Sequence, residues 1–174
     1  MEFPFSVTKA IQSDQDGFAI IRSKRSLQRH ARSSVFDSLE QQNPVDQVID
    51  RMGHASSKAQ KLPSVITTAA KFFNSGDNII YMKAEGNKAI GFIKTGRRTL
   101  FQRLFTGDIK EIKPLCVLDF YVHESVQRGG QGKALFDLML KECGQTPCQL
   151  AYDRPSPKLI NFLAKHFGLK GYVK

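Results

Sequence analysis

With 174 residues and a 41% hydrophobic share, the sequence can supply one domain with a real core and is short for two. Its 26 Lys and Arg against 16 Asp and Glu give a formal charge of +10, which points to an anionic partner: nucleic acid, a phosphorylated cofactor or an acidic protein surface. Cys116, Cys143 and Cys148 include no CxxC pair, and the four histidines stand at no metal-ligand spacing near them. A structural zinc site is therefore not expected, and reduced thiols are. No run approaches the ~20 apolar residues of a membrane span. The opening MEFPFSVTKA lacks the basic-then-apolar pattern of a secretory signal, so a cytoplasmic protein without a membrane span is expected.

In chain order, residues 1–43 are mixed, and RSKRSLQRHARSS (residues 22–34) reads as a flexible basic loop that cannot bury much apolar surface. From Pro44 to about Gln60, Val45, Val48, Ile49 and Met52 recur at helical spacing behind a proline suited to a first turn. A second helix is predicted after Pro63, capped by Ser64, with Val65, Ala69, Phe72 and Phe73 on its apolar side and Asn74, Gly76 and Asp77 ending it. The period then changes. NIIYMKAE, KAIGFIKTG and RRTLFQRL are short β-branched and aromatic runs that predict an antiparallel meander. A polar loop over residues 107–113 leads to PLCVLDFYV, the strongest strand signal in the chain. A helix from about Gln131 to Cys143 follows, with Leu135, Leu138 and Met139 as its stripe and Gly144 as its natural end. CQLAYD predicts a short strand, and RPSPKLINFLAKHFG a helix with Ser156 as N-cap, Pro157 in the first turn and Gly168 past the end.

Between the strong strand and its helix stands HESVQRGGQGKALF, with three glycines in four positions. A strand that ends in a glycine-rich bend opening a helix offers free N–H groups and the positive end of a helix dipole to an anion. Arg128 and Lys133 add charge there. Three readings compete: plain turn punctuation, a dinucleotide-binding turn, and a pyrophosphate loop. The dinucleotide reading gains from Asp153, about 20 residues on, but Leu135 stands where the third glycine of G-x-G-x-x-G belongs, and the loop follows a meander. QRGGQG (residues 127–132) fits the Q/R-x-x-G-x-G/A pattern with which GNAT acetyltransferases hold the pyrophosphate of acetyl-CoA.

LCVLDFYVHESVQRGGQGKALF and DRPSPKLINFLAKHF, with the opening MEFPF and the segment ASSKAQKL, resemble the α-tubulin N-acetyltransferase family of the GNAT superfamily. The resemblance covers most of residues 1–170 and is weakest between about 10 and 43. It implies a single GNAT-type domain over 1–174, of α/β (α+β) class, with a mixed, largely antiparallel sheet flanked by helices. The family continues past this chain's last residues with further strands, so an incomplete C-terminal end is expected.

The implied reaction moves acetyl from acetyl-CoA directly to the ε-amine of a lumenal α-tubulin lysine in microtubules, both substrates being held together. The alternatives are a weak or inactive microtubule-binding relative, or a GNAT acting on another protein lysine. A lysine amine of pKa ~10.4 must lose a proton before it attacks. The resemblance places Cys116, on the strong strand, and Asp153, at the end of the next, as the catalytic pair. Their ordinary pKa values of ~8.5 and ~3.9 bracket neutrality, so neither is an ideal base unperturbed. From the residues alone, Cys116 also reads as a small buried hydrophobe, and Asp153 as an acid near a helix start. Gln60 in SKAQKL matches an active-site glutamine that positions substrate, since an amide does not titrate. Asp119 falls on the opposite strand face from Cys116 if alternation is regular, and reads as a supporting residue.

For acetyl-CoA the matched stretch is Phe120, Tyr121, Val122, His123, Gln127, Arg128, Gly129, Gly130, Gln131, Gly132 and Lys133. Ser156, Lys158 and Lys165 match the second cofactor-binding stretch. Relatives often carry histidines where this chain has Gly129 and Gln131, which removes side-chain donors and leaves the backbone cradle. No metal is expected. Nor is nucleic acid, for want of a zinc finger, an aromatic RNP-type strand or a basic helix. The chain is expected to act as a monomer.

Overall fold

The computed structural model describes residues 1–23, 43–152 and 154–170. The predicted basic loop lies outside these residues from position 24 on, as does Asp153. The chain opens with a short helix α1 (Val7–Ala10) and a strand β1 (Phe18–Arg22), followed by α2 (Pro44–Ala59) and α3 (Ala69–Phe73). Then come β2 (Ile79–Glu85), β3 (Lys88–Arg97), β4 (Leu100–Arg103), β5 (Ile109–Ile112) and β6 (Leu115–Val122). Helix α4 (Gln131–Cys143), strand β7 (Ala151–Tyr152) and helix α5 (Pro157–Phe167) complete the order.

Five strands form one sheet in the order β1-β2-β3-β6-β7. The first three pairings are antiparallel and β6 with β7 is parallel, the mixed sheet flanked by helices that the sequence predicts. β3 is the middle strand, and its residues from Ala89 to Gly96 are all buried. One face carries α1, α2 and α3, whose Val7, Val48, Ile49, Met52 and Phe72 pack with Ile80, Met82 and Phe92. The other carries α4 and α5, whose Leu135, Phe136, Met139, Leu159 and Leu163 pack with Tyr81, Ile93 and Val117. Among the described residues no helix is long and apolar enough to cross a membrane.

Three predicted elements need correction. Arg22 and Ser23 are not loop: Arg22 ends β1, and buried Ser23 donates to the Gly76 carbonyl and accepts from the Asn78 N–H at 3.1 Å. The helix predicted after Pro63 forms only from Ala69, capped by Thr68, whose hydroxyl accepts from the Lys71 N–H at 3.2 Å, and not by Ser64. Val65, Ile66, Thr67 and Thr68 are four β-branched residues in a row, poor in a helix. Their polar groups are instead spent on the sheet side: the Ile66 carbonyl accepts from Lys94 Nζ at 2.8 Å, and the Thr67 hydroxyl donates to Asp119 at 2.6 Å. RRTLFQRL, finally, adds no strand to the meander. Leu100–Arg103 pairs with Ile109–Ile112, inside the stretch predicted as polar loop, in a separate ribbon that exposes Phe101, Phe105 and Ile109.

Helix α2 lies so close to the extended segment that a Cβ on Gly53 would stand 1.8 Å from the Thr67 carbonyl oxygen. In a free helix, Gly→Ala gains about 1 kcal/mol. Here the sign is expected to reverse: Gly53→Ala should lose about 2 kcal/mol or more through overpacking, seen as a lower urea midpoint at unchanged slope. A gain in stability would show that α2 and residues 63–68 separate easily.

Candidate active site

β6 is paired with β3 over its whole length, from Leu115 against Arg97 to Val122 against Gly91. On its other edge it meets β7 at only two positions, Cys116 with Ala151 and Val117 with Tyr152. Beyond Val117, no strand among the described residues pairs with that edge. The opening is a cleft of about 370 Å³ between the far half of β6, the bend after it, the start of α4 and one face of α5.

One end of the cleft is built for an anion. Gly130 is the N-cap of α4 at φ +77°, with no side chain to satisfy the helix's first N–H groups, and Arg128 beside it is also left-handed at φ +70°. A Cβ on Gly132 would stand 3.3 Å from the Phe120 ring and 3.4 Å from Val122, so glycine there lets the helix start close against β6. Gln127 donates its amide to the Val122 carbonyl at 2.8 Å, fastening the bend to the strand. Arg128, Ser156, Lys158 and Lys165, which the resemblance assigns to the cofactor, line the cleft wall. Lys133 lines it as well, but its ammonium is held by Asp137 at 2.6 Å one turn on. Gly129, Gln131 and His123 are not on the wall; the His123 ring caps a 3-10 turn through Ser125. Tyr121 offers the wall its main chain, because its ring lies in the α2-side core near Phe92. Its hydroxyl donates to Glu124 at 2.8 Å, and burial, then that contact with the carboxylate, pushes its pKa well up.

Ala59, Leu159, Phe162 and His166 also line the cleft and were not singled out in the sequence. Phe162 stacks with Phe120 at 5.1 Å and with His166 at 4.7 Å between ring centroids. Their signal was present: positions 158, 162 and 165 to 166 fall on one side of a helix capped at Ser156.

At the other end stands Gln60, the residue after α2, half-buried on the cleft wall. Its amide nitrogen lies 2.8 Å from Ser56 Oγ and 3.1 Å from Asp119 Oδ1. Asp119 is buried on β6, where Oδ1 also accepts from the Ser56 hydroxyl at 2.7 Å and Oδ2 from the Thr67 hydroxyl at 2.6 Å. Lys94, its cross-strand partner, is buried too. Burial pushes the Lys94 pKa down, opposed by the Asp119 carboxylate.

Asp119 does not lie across the strand from Cys116. The register moves from Lys94 against Asp119 to Thr95 against Val117, leaving Leu118 as an extra residue that reverses the alternation. Gly96, which pairs with Cys116, and Lys94, which pairs with Asp119, are two apart on a regular strand. Cys116 and Asp119 therefore share the α2 face. The Cys116 side chain is fully buried, with Sγ 3.6 Å from the Pro114 carbonyl, and is not on the cleft wall. Of the predicted catalytic set, the described residues put Gln60 at the cleft, Cys116 behind the wall, and leave Asp153 outside their range.

Comparison with known proteins gives this geometry a lineage. A family model described as GNAT acetyltransferase, Mec-17 matches residues 3–174. The chain is 50% identical over 174 residues to an alpha-tubulin N-acetyltransferase of Tetrahymena thermophila, covering 99% of this chain and 41% of that protein. It is 41% identical over 179 residues to alpha-tubulin N-acetyltransferase 1 of Danio rerio, covering 99% and 58%. The chain thus spans about half the length of these curated relatives. Among solved structures, the xEco2 acetyltransferase domain bound to a CoA conjugate superposes with a TM-score of 0.57 over 92% of each chain at 12% identity, a likeness of fold. With a strand that parts from its neighbour, a glycine bend after that strand's end and a family match along nearly its whole length, the chain belongs to the GNAT acetyltransferase, Mec-17 family.

Proposed function

We propose that the chain transfers acetyl from acetyl-CoA to the ε-amine of a lysine of α-tubulin, working as a monomer on the microtubule cytoskeleton. The observation that carries this reading is the cleft itself. A cradle for a pyrophosphate at the α4 start and a polar, substrate-facing Gln60 are the two ends of one cavity of about 370 Å³. The named activity of the Tetrahymena and Danio relatives supports the choice of substrate. The +10 charge suits an acidic partner surface.

The residues present fit acetyl-CoA. Gly130 and Gly132 keep side chains out of the space a pyrophosphate needs, and Arg128, Lys158 and Lys165 surround it with positive charge. Phe120, Leu159 and Phe162 give an apolar wall to the rest of the molecule. When bound, acetyl-CoA supplies an activated thioester carbonyl. The chain's task is to hold the lysine amine beside it and remove a proton, since an ammonium has no lone pair to attack with. Gln60 orients the amine, and Asp153 is the proposed acceptor of its proton, with Cys116 supporting from the buried side of β6.

Labelled acetyl-CoA and assembled microtubules test this directly: the wild type is expected to label α-tubulin on one lysine. Asp153→Asn should lower kcat by about 100-fold or more, as for a lost general base. Cys116→Ala should cost less, because the thiol lies behind the cleft wall. A folded wild type that labels nothing, or an Asp153→Asn variant at full rate, would reject the assignment.

The cradle makes a separate expectation. Gly130→Ala strains a left-handed position by about 1 kcal/mol, and Gly132→Val pushes Phe120 toward the cleft. Both should weaken acetyl-CoA binding by calorimetry, because each puts side-chain atoms where the ligand's pyrophosphate must lie close to the backbone, while KM for tubulin stays put. Equal loss toward both substrates would place the damage elsewhere.

A further inference from the structure

Ser56, Thr67 and Asp119, the buried cluster beneath Gln60, do not line the cleft, and their chemistry is one-sided. A carboxylate can only accept hydrogen bonds. Asp119 accepts three: from Ser56 and Gln60 on Oδ1, and from Thr67 on Oδ2. The atom of Gln60 that faces it must therefore be nitrogen, whichever way an amide might otherwise turn. That nitrogen has two hydrogens, and two acceptors stand in reach, Ser56 Oγ at 2.8 Å and Asp119 Oδ1 at 3.1 Å. The Ser56 hydroxyl gives its own proton to Asp119, which leaves its oxygen lone pairs for Gln60. Because Ser56 Oγ and Asp119 Oδ1 are themselves only 2.7 Å apart, they hold the amide nitrogen from one side, which turns the nitrogen edge of Gln60 toward the cluster and its carbonyl oxygen away from it.

We propose that Asp119 is a positioning residue which, with Ser56, holds the amide nitrogen of Gln60 on the buried side and so turns its carbonyl oxygen to the substrate. An acceptor at this point selects a partner with N–H groups to give, which a lysine side chain has and an ester or carboxylate lacks. The pieces come from four elements: Ser56 on α2, Gln60 just past it, Thr67 in the extended segment and Asp119 on β6. Lys94 ties the same segment to the sheet through the Ile66 carbonyl at 2.8 Å. The bulge at Leu118 is what puts Asp119 on this face. The failed helix after Pro63 has a use here too, because only an extended backbone brings the Thr67 hydroxyl to Oδ2.

The inference rests on the proposed acetyl transfer, and a double-mutant cycle separates the two. Ser56→Ala should lower kcat/KM for tubulin by about 5- to 30-fold, the usual worth of one or two hydrogen bonds, with KM for acetyl-CoA unchanged. In a Gln60→Ala background the same change should do almost nothing, because Ser56 acts through Gln60. Asp119→Asn keeps an acceptor for Gln60 and can turn its amide nitrogen to the Thr67 hydroxyl, so it should stay within about 3-fold of wild type, whereas Asp119→Ala should fall as far as Gln60→Ala. If Asp119→Ala does not fold, Ser56→Ala carries the cycle alone. Wild-type rates in Ser56→Ala, or an effect of Ser56→Ala that persists in full without Gln60, would overturn the proposal and leave the acetyl transfer standing. A wild type that acetylates nothing overturns both.

Discussion

Buried N–H and C=O groups of the main chain need partners, and at β6 the fold supplies them along one edge and withholds them along most of the other. β3 pairs with the strand from end to end, while β7 stops after Tyr152. Phe120, Tyr121 and Val122 line the cleft on this second edge, where no strand among the described residues lies. A ligand that enters this cleft with its own amides can complete a ladder that the protein has left unfinished, which is the physics of strand addition applied to a small molecule. The helix start behind Gly130 sits at the end of the same strand, so backbone donors serve both the extended part of a ligand and its anionic end.

Holding that edge open requires that β6 be fixed from its other sides. β3 does so by its complete ladder and by its own burial, and the two faces are covered by different helices. The cost falls on the polar groups that this placement buries. Asp119 and Lys94 are charges taken out of water, each at several kcal/mol unless compensated. Three hydroxyl and amide donors converge on the carboxylate, and a carbonyl receives the ammonium. Replacing any one of these with an apolar group leaves a charge short of a partner, which is why the cluster holds together several segments far apart in sequence.

What the sequence made legible follows from how local the signal is. Helices α2, α4 and α5 were readable to within about a residue because their ends are written in nearby residues: Pro44 at one start, Ser156 and Pro157 at another, Gly144 and Gly168 at two ends. The long strand and the glycine bend were readable for the same reason. Where tertiary contacts decide, the reading failed. Residues 63–68 read as helix from their apolar spacing, but a run of four β-branched residues disfavours it and the contacts to Lys94 and Asp119, 28 and 52 residues away, hold the segment extended. RRTLFQRL reads as a strand and is one, but its partner lies in a stretch too polar to read as sheet. The bulge at Leu118 leaves no mark in composition, so strict alternation put Asp119 on the wrong face and hid its link to Gln60. The candidate site was half visible: its anion cradle is a contiguous motif, and its polar floor is an assembly of single residues from four places.

For the proposed acetyl transfer, a neutral acceptor at Gln60 also suits the chemistry better than the carboxylate that lies just beneath it. A lysine must lose a proton to attack, and an anionic group in direct contact would favour its charged form and raise its pKa. An amide oxygen orients the same N–H groups with a partial charge only, and so holds the ammonium less firmly in its unreactive state. The fold keeps the full charge of Asp119 one residue back, opposed by Lys94 and capped by hydroxyls, and passes forward only its preference for donors. In the proposed transfer, geometry is thus set by a strong, buried ion while Gln60 itself stays uncharged, which lets it fix the direction of the amine without stabilising the form that cannot react.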